Sequence, residues 1–168
     1  MTNLSRDLAE EGEVLLFIGH GKGKTSSALG VAGRSIAYGR KVIFIYFTTP
    51  PQPLPGEFKA AVTQNDNWRM MGVFNEKDDA SNKDELLERI DTVTEAITKA
   101  HDIWLKEYDL LVLDDIGRHI DSGAINIVQV MALLEDRPPN TSIIITGESA
   151  PQALIEKANL ITEFRRIK

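Results

Sequence analysis

The chain of 168 residues contains no cysteine. That absence excludes disulfide frameworks, thiolate zinc sites, iron–sulfur clusters and cysteine nucleophiles in one step. No run of about 18 apolar residues occurs, so nothing in the sequence predicts a membrane-spanning helix. Positive charge is scarce: 19 Lys and Arg stand against 25 Asp and Glu, for a net charge of −6. Broad, charge-driven binding to nucleic acid needs a basic face that displaces counterions, and this balance excludes it. The same balance disfavours an anionic membrane surface as partner. Met1–Glu13 is acidic and polar and lacks the apolar stretch of roughly 7–15 residues that marks a secretion signal. The expected location is cytoplasmic.

Apolar residues make up 42% and charged residues 26%, the balance of an ordinary globular domain. At this length one domain is expected, spanning residues 1–168, with residues 1–12 as a flexible or peripheral N-terminal segment. Such a chain buries roughly 70% of the surface it exposes when unfolded, so it needs no staple. Val14–Ile18, Lys41–Phe47, Leu110–Leu113 and Ser142–Thr146 are short, continuous apolar runs. They predict strands buried on both faces of a parallel sheet. Trp68–Phe74 and Leu160–Phe164 predict two further strands. Thr25–Tyr38, rich in Ala, Gly and Ser, predicts a helix packed close to its sheet and stopped at Gly39. A longer helix is expected from Ser81, where Ser81 and Asp84 resemble a capping box. Leu86, Ile90, Val93, Ile97, Ala100 and Trp104 share one face of it. Ala124–Glu135 predicts another helix. Pro151 suits the first position of a last helix, with Ser149 near its cap. Pro50, Pro51, Pro53 and Pro55 place Thr48–Gly56 in a loop.

Strand and helix thus alternate, and each crossover is long enough for a right-handed βαβ unit. The expected fold is α/β, a mostly parallel sheet with helices on both faces. Ligands of such sheets bind at the carboxyl ends of the strands. The informative loops are therefore Gly19–Lys24, Thr48–Glu57, Asp114–His119 and Gly147–Pro151.

Gly19-His20-Gly21-Lys22-Gly23-Lys24-Thr25 joins a buried strand to a helix. Its glycines let successive N–H groups curl inward as an anion nest, and the helix start adds partial positive charge. Lys24 supplies a full charge, and Thr25 offers a hydroxyl to a magnesium ion. The common pattern G-x-x-x-x-G-K-[ST] requires glycine at position 18, where Ile18 stands, so this loop is one residue shorter. A P-loop NTPase-like (RecA-like) single domain is expected. A carboxylate at the end of a buried strand completes such a site, and Asp114 and Asp115 both qualify. Alternation along a strand points them in different directions, so one of the two reaches the metal directly.

GHGKGKTS, followed by a helix with Gly30 and Arg34 and then Tyr38-Gly39, resembles the P-loop-type ATP:corrinoid adenosyltransferases. Their loop reads G-N-G-K-G-K-T-T, with the same shortened spacing. YDLLVLDD is similar to their D-L-L-V-L-D-E, and LLEDRPPNTSIIITG to their L-L-x-x-R-P-x-x-x-x-V-I-I-T-G. The final ANLITEFRRIK is similar to A-D-L-V-T-E and R-P-I-K. The likeness covers Gly12–Phe47 and Tyr108–Lys168.

The resemblance implies a reaction in which a reduced Co(I) corrinoid attacks the ribose C5′ of ATP and triphosphate leaves intact. ATP and the corrinoid would be substrates and Mg2+ the cofactor, in adenosylcobalamin biosynthesis or salvage. Carried over by position, Gly19, His20, Gly21, Lys22, Gly23, Lys24, Thr25 and Ser26 would cradle triphosphate. Arg34 would lie on the nucleotide side and Phe74 on the corrinoid side. Thr25 and Asp115 would take magnesium, with Asp114 the neighbouring candidate. Lys24, Thr25 and Asp115 would carry the chemistry. A homodimer and a reductase that supplies Co(I) are partners the resemblance leaves room for. His20 stands where the family has asparagine, Asp115 where it has glutamate, and Glu148 where it usually has arginine. Met71-Gly72-Val73-Phe74 is the counterpart of an aromatic G-F-T-W segment. That altered segment keeps a non-catalytic ATP- or corrinoid-binding relative in view as a second reading. A generic P-loop ATPase or kinase is the third.

Overall fold

The computed structural model of the chain describes residues 11–47, 67–73 and 83–168. Six strands form one sheet: β1 (Val14–Ile18), β2 (Val42–Tyr46), β3 (Trp68–Gly72), β4 (Leu110–Asp114), β5 (Ser142–Thr146) and β6 (Leu160–Glu163). The order is β3-β2-β4-β5-β1-β6, and every neighbouring pair is parallel. The central strands read as continuous apolar runs because both of their faces are covered. All five residues of β4 are buried. In register, Leu16 pairs with Ile145 on one side and Ile161 on the other.

Side-chain alternation divides the core in two. Phe17, Val42, Phe44, Leu110, Val112 and Ile144 face α1 (Lys24–Ala37), where Ala28 and Ala32 are completely buried. Two alanines at a spacing of four let the helix lie close to the sheet. Leu16, Ile43, Ile45, Leu111, Leu113, Ile143 and Ile145 face the other way. On that side lie α2 (Lys83–Lys99), its π-helical continuation Ala100–Trp104 and a last turn α3 (Leu105–Glu107). Val93, Ile97, Ala100 and Trp104 enter this core together, on the expected face. α5 (Ile127–Glu135) and α6 (Gln152–Lys157) complete the layer through Val130, Leu133 and Leu154.

Three boundaries differ from the expected ones. A short helix α4 (Gly117–Asp121) occupies what read as loop. The next helix starts at Ile127, not Ala124, because Asn126 caps it: its side chain accepts from Val128 N–H at 2.9 Å, while the Gln129 side chain returns to Asn126 N–H. Pro151 is the N-cap of α6, one position before its expected place. The proline loop Thr48–Gly56, Ser81 and the side chains of Asp84 and Leu86 lie outside the described residues.

Candidate nucleotide site

β1, β4 and β5 run parallel, so the segments that leave them gather at one edge of the sheet. The phosphate loop leaves β1, Asp115–Arg118 leaves β4, and Gly147–Ser149 leaves β5. Thr48–Glu57, the fourth expected loop, lies outside the described residues.

The loop is braced from the side of β6. Phe164 N–H donates to Ile18 O at 2.7 Å, and Gly21 N–H donates to Phe164 O at 2.8 Å. A Cβ at position 21 would lie 2.7 Å from the Phe164 carbonyl carbon, so only glycine allows this approach. The Phe164 ring packs edge-on to Phe17, with centroids 5.9 Å apart. From the side of β5, Gly19 N–H donates to Glu148 O at 3.0 Å. Gly23, with φ near 109°, turns the chain into α1. The Lys24 ammonium donates to the carbonyls of Gly19 and Gly21, which curls the loop around its own cation. Lys22 and Ser26 are exposed beside it.

Across the loop lies a chain of hydroxyls and a carboxylate. The Thr25 hydroxyl lies 3.0 and 3.1 Å from the two carboxylate oxygens of Asp114. Thr146 Oγ1 donates to Asp114 Oδ1 at 2.8 Å and accepts from Asp115 N–H at 2.8 Å. Asp114 is buried, and burial pushes its carboxyl up to about 6, against the opposing effect of the Thr146 and Thr25 hydrogen bonds. A carboxylate so placed favours a nearby cation. Hydroxyl and carboxylate oxygens are a hard donor set suited to magnesium, which keeps waters and phosphate oxygens for its other positions. Among the described residues no group of three or more His, Asp or Glu side chains forms an all-protein metal cage.

Asp115 is placed differently from the expectation that gave it the metal. It adopts φ 60° and turns off the strand, with Oδ2 3.9 Å from Arg118 Nη1. Thr25 meets Asp114. Arg34 is not brought to the site. It lies in the last turn of α1, about 15 Å along the axis from Lys24 at 1.5 Å per residue. There it stands over the Tyr38 ring at 5.9 Å and lines a cavity of about 910 Å3 at the opposite edge of the sheet. Phe74 lies outside the described residues. Trp68 packs near Phe44, with centroids 6.1 Å apart, on the α1 face.

Thr146 and Phe164 are site residues that sequence reasoning did not single out. Thr146 had a signal, a hydroxyl residue before glycine at the end of an apolar strand. Phe164 acts through its backbone, which no residue type announces. His119, to which the sequence assigned no role, is buried, with Nε2 2.7 Å from Phe47 O. Gly117 and Gly147 nearly touch: a Cβ on either would lie 2.9 Å from the other's Cα. Ser149 Oγ donates to Asp121 Oδ2 at 2.7 Å and ties the same two segments.

A family model described as ATP:corrinoid adenosyltransferase BtuR/CobO/CobP matches residues 10–168. The chain belongs to that family. It is 26% identical over 159 residues to the corrinoid adenosyltransferase of Escherichia coli K12, covering 95% of this chain and 79% of the relative. Against the corrinoid adenosyltransferase of Pseudomonas aeruginosa it is 28% identical over 169 residues, covering 95% and 77%. Among solved structures, the flagellar accessory protein FlaH of Methanocaldococcus jannaschii matches with a TM-score of 0.55 and 10% identity, covering 91% of this chain and 71% of that one. Domain III of the Thermotoga maritima replication initiation protein DnaA matches with a TM-score of 0.50 and 13% identity, covering 95% and 57%. These two establish likeness of fold alone. No helix among the described residues is long and apolar enough to cross a membrane.

Proposed function

We infer that this family member transfers the 5′-deoxyadenosyl group of ATP to the cobalt of a reduced corrinoid, releasing triphosphate, as a step in making adenosylcobalamin. The observation that carries the reading is the shortened phosphate loop. It is fastened to Phe164 on one side and faces the Thr25–Asp114 pair on the other, in a chain matched to the family from residue 10 to 168.

The cobalt electron pair forms the new bond to C5′, and the C5′–O bond breaks with its electrons passing to triphosphate. The nucleophile belongs to the substrate, so the protein needs no serine or histidine to attack. Its task is to hold a highly charged leaving group in line and to stabilise the charge that grows on it. The N–H groups of the loop other than those of Gly19 and Gly21, which bond Glu148 and Phe164, together with the start of α1, bind the phosphate oxygens. Lys24 exchanges its carbonyl partners for phosphate oxygens. Magnesium, held by Thr25 and Asp114, would supply further neutralisation of the polyphosphate. Asp115, beside Arg118, would orient the segment that leaves β4. Delivery of Co(I) by a reductase, a pairing of two chains and a cytoplasmic location belong to the same proposal.

The decisive experiment mixes protein, ATP, magnesium and chemically reduced corrinoid without oxygen and follows the ultraviolet–visible spectrum. The expected result is the spectrum of a 5′-adenosyl–cobalt bond together with stoichiometric triphosphate. Release of inorganic phosphate without that bond would mark a P-loop hydrolase instead. Lys24→Ala removes a charge-assisted contact of about 1.5–3 kcal/mol. It is expected to weaken ATP binding about 10- to 150-fold by titration calorimetry, and unchanged affinity would overturn the reading of the loop.

A further inference from the structure

The sheet ends on one side at β6, and among the described residues no strand pairs with its outer edge. Open edges invite a further strand, and charges placed on them usually keep one away. This edge also carries apolar side chains. Leu160 and Ile161 are 48% and 41% exposed, and Ile167, just beyond the strand, is 92% exposed. Phe164 shows which way the backbone faces. Its N–H donates to Ile18 O and its carbonyl accepts from Gly21 N–H, so both groups turn inwards. Backbone groups alternate along a strand, so those of Ile161 and Glu163 turn outwards and are open to a partner. The side chains at alternate positions read Ile161, Glu163, Arg165 and Ile167: apolar, acidic, basic, apolar. Glu163 and Arg165 lie on one face, 2.6 Å apart, and both are well exposed. This order is self-complementary about Phe164. A copy laid antiparallel with Phe164 opposite Phe164 sets Glu163 against Arg165 and Ile161 against Ile167, twice each.

We propose that a second copy of this chain adds to β6 as an antiparallel strand, about a two-fold axis at Phe164, so that the two sheets join into one. The proposal rests on the pairing of two chains within the proposed function and assigns it a surface. In this register Phe164 faces its counterpart as a non-hydrogen-bonded pair, which its inward groups require. Glu163 with Arg165 and Ile161 with Ile167 are then the hydrogen-bonded pairs, with Arg165–Ile167 continuing the strand. Axes at Thr162 or Arg166 would satisfy the same alternation, but they set Ile161 against Glu163 or Arg165 against Ile167. Opposite charges and apolar pairs across strands favour pairing, and like charges oppose it. The contact is closed and isologous, so it stops at two chains. Phe164, whose carbonyl braces the phosphate loop, lies on the axis, and the two nucleotide sites share the interface.

The test is sedimentation velocity of the full chain and two charge variants over a range of concentrations at low salt. Glu163→Arg sets like positive charges opposite each other across the axis, and Arg165→Glu sets like negative ones. Each variant alone is expected to dissociate about 10-fold more readily than the parent. An equimolar mixture of the two is expected to regain the parental association, because every positive position of one variant meets a negative position of the other. A folding defect or a lost intrachain pair cannot be repaired by mixing, so a mixture as dissociated as its components overturns the proposal. Variants that associate as tightly as the parent also overturn it and move the pairing of chains to another surface. A parent that sediments as a monomer throughout overturns both the surface and the pairing. The adenosyl-transfer assay judges the reaction separately in every case.

Discussion

Burial and ionisation pull Asp114 in opposite directions. Its folded carboxyl titrates near 6, against an ordinary value of 3.8. Between those values the folded chain holds a proton that the unfolded chain has lost. The stabilisation linked to that proton is complete below the unfolded value and is lost as pH rises through about 6. At neutral pH the free protein therefore carries a buried charge at a cost of about 3 kcal/mol. Asp114→Asn is expected to raise the unfolding free energy in urea at pH 7.5, without magnesium, by about 1–3 kcal/mol, while abolishing magnesium-dependent ATP binding. A variant no more stable than the parent would mean that the carboxylate carries no such cost. The choice between Asp114 and Asp115 was half legible. Alternation along β4 says that one of them faces α1, but the sequence does not say which face α1 covers. With Leu110 and Val112 against Ala28 and Ala32, parity assigns Asp114 to the Thr25 side. The resemblance, matching motif letters, pointed to its neighbour.

Among the elements, α1 couples packing to function most directly, since its first turn carries Lys24 and Thr25. Ala28 and Ala32 set its distance from the sheet. Ala32→Leu is expected to cost about 1–3 kcal/mol in urea unfolding and to weaken ATP binding as the helix start is displaced. Loss of stability with ATP affinity intact would separate the two. At the far end of the α2 layer, His101 lies between Asp102 and Asp136, with each ring nitrogen 2.8 Å from a carboxylate oxygen. It thereby ties the π-helical stretch to the end of α5. Those hydrogen bonds, from Asp102 and then Asp136, raise its pKa above the ordinary 6.5. Its contribution is fully present below 6.5 and is lost as pH rises through the raised value. The melting temperature of the parent should exceed that of His101→Gln at pH 6 and approach it at pH 9; a constant gap would assign the difference to packing. Strands β1, β2, β4 and β5 were legible because unbroken apolar runs have few other uses. The short α4 was not, because it follows a left-handed Asp115 and spans only five residues, too few to show a periodic apolar face. The start of α5 was readable in principle from Asn126 and Gln129, but the apolar Ala124-Ile125 pair just before them reads equally well as helix.

At the scale of the whole molecule, the sheet order places β5 between the strand that leads into the phosphate loop and the strand that ends in Asp114. The two halves of the site meet directly where the Thr25 hydroxyl reaches the Asp114 carboxylate, and Thr146, on the strand between them, steadies the β4 half through Asp114 and the Asp115 N–H. A ligand that bridges both halves stabilises the whole fold by mass action. Magnesium ATP at 100 times its dissociation constant is expected to add about 2.7 kcal/mol to the unfolding free energy, and most of the resulting rise in melting temperature should vanish in Lys24→Ala. An equal rise in that variant would locate the nucleotide elsewhere.

The pairing of β6 with β1 also sets an order of events in the cell. The glycine loop leaves the ribosome early, but the Phe164 carbonyl that steadies it is made only after nearly every other described residue. Domains of this size fold as units during or after synthesis. A growing chain thus exposes the glycines without their brace. Nucleotide binding is expected to follow the docking of β6 on β1, because that pairing supplies the brace of the loop.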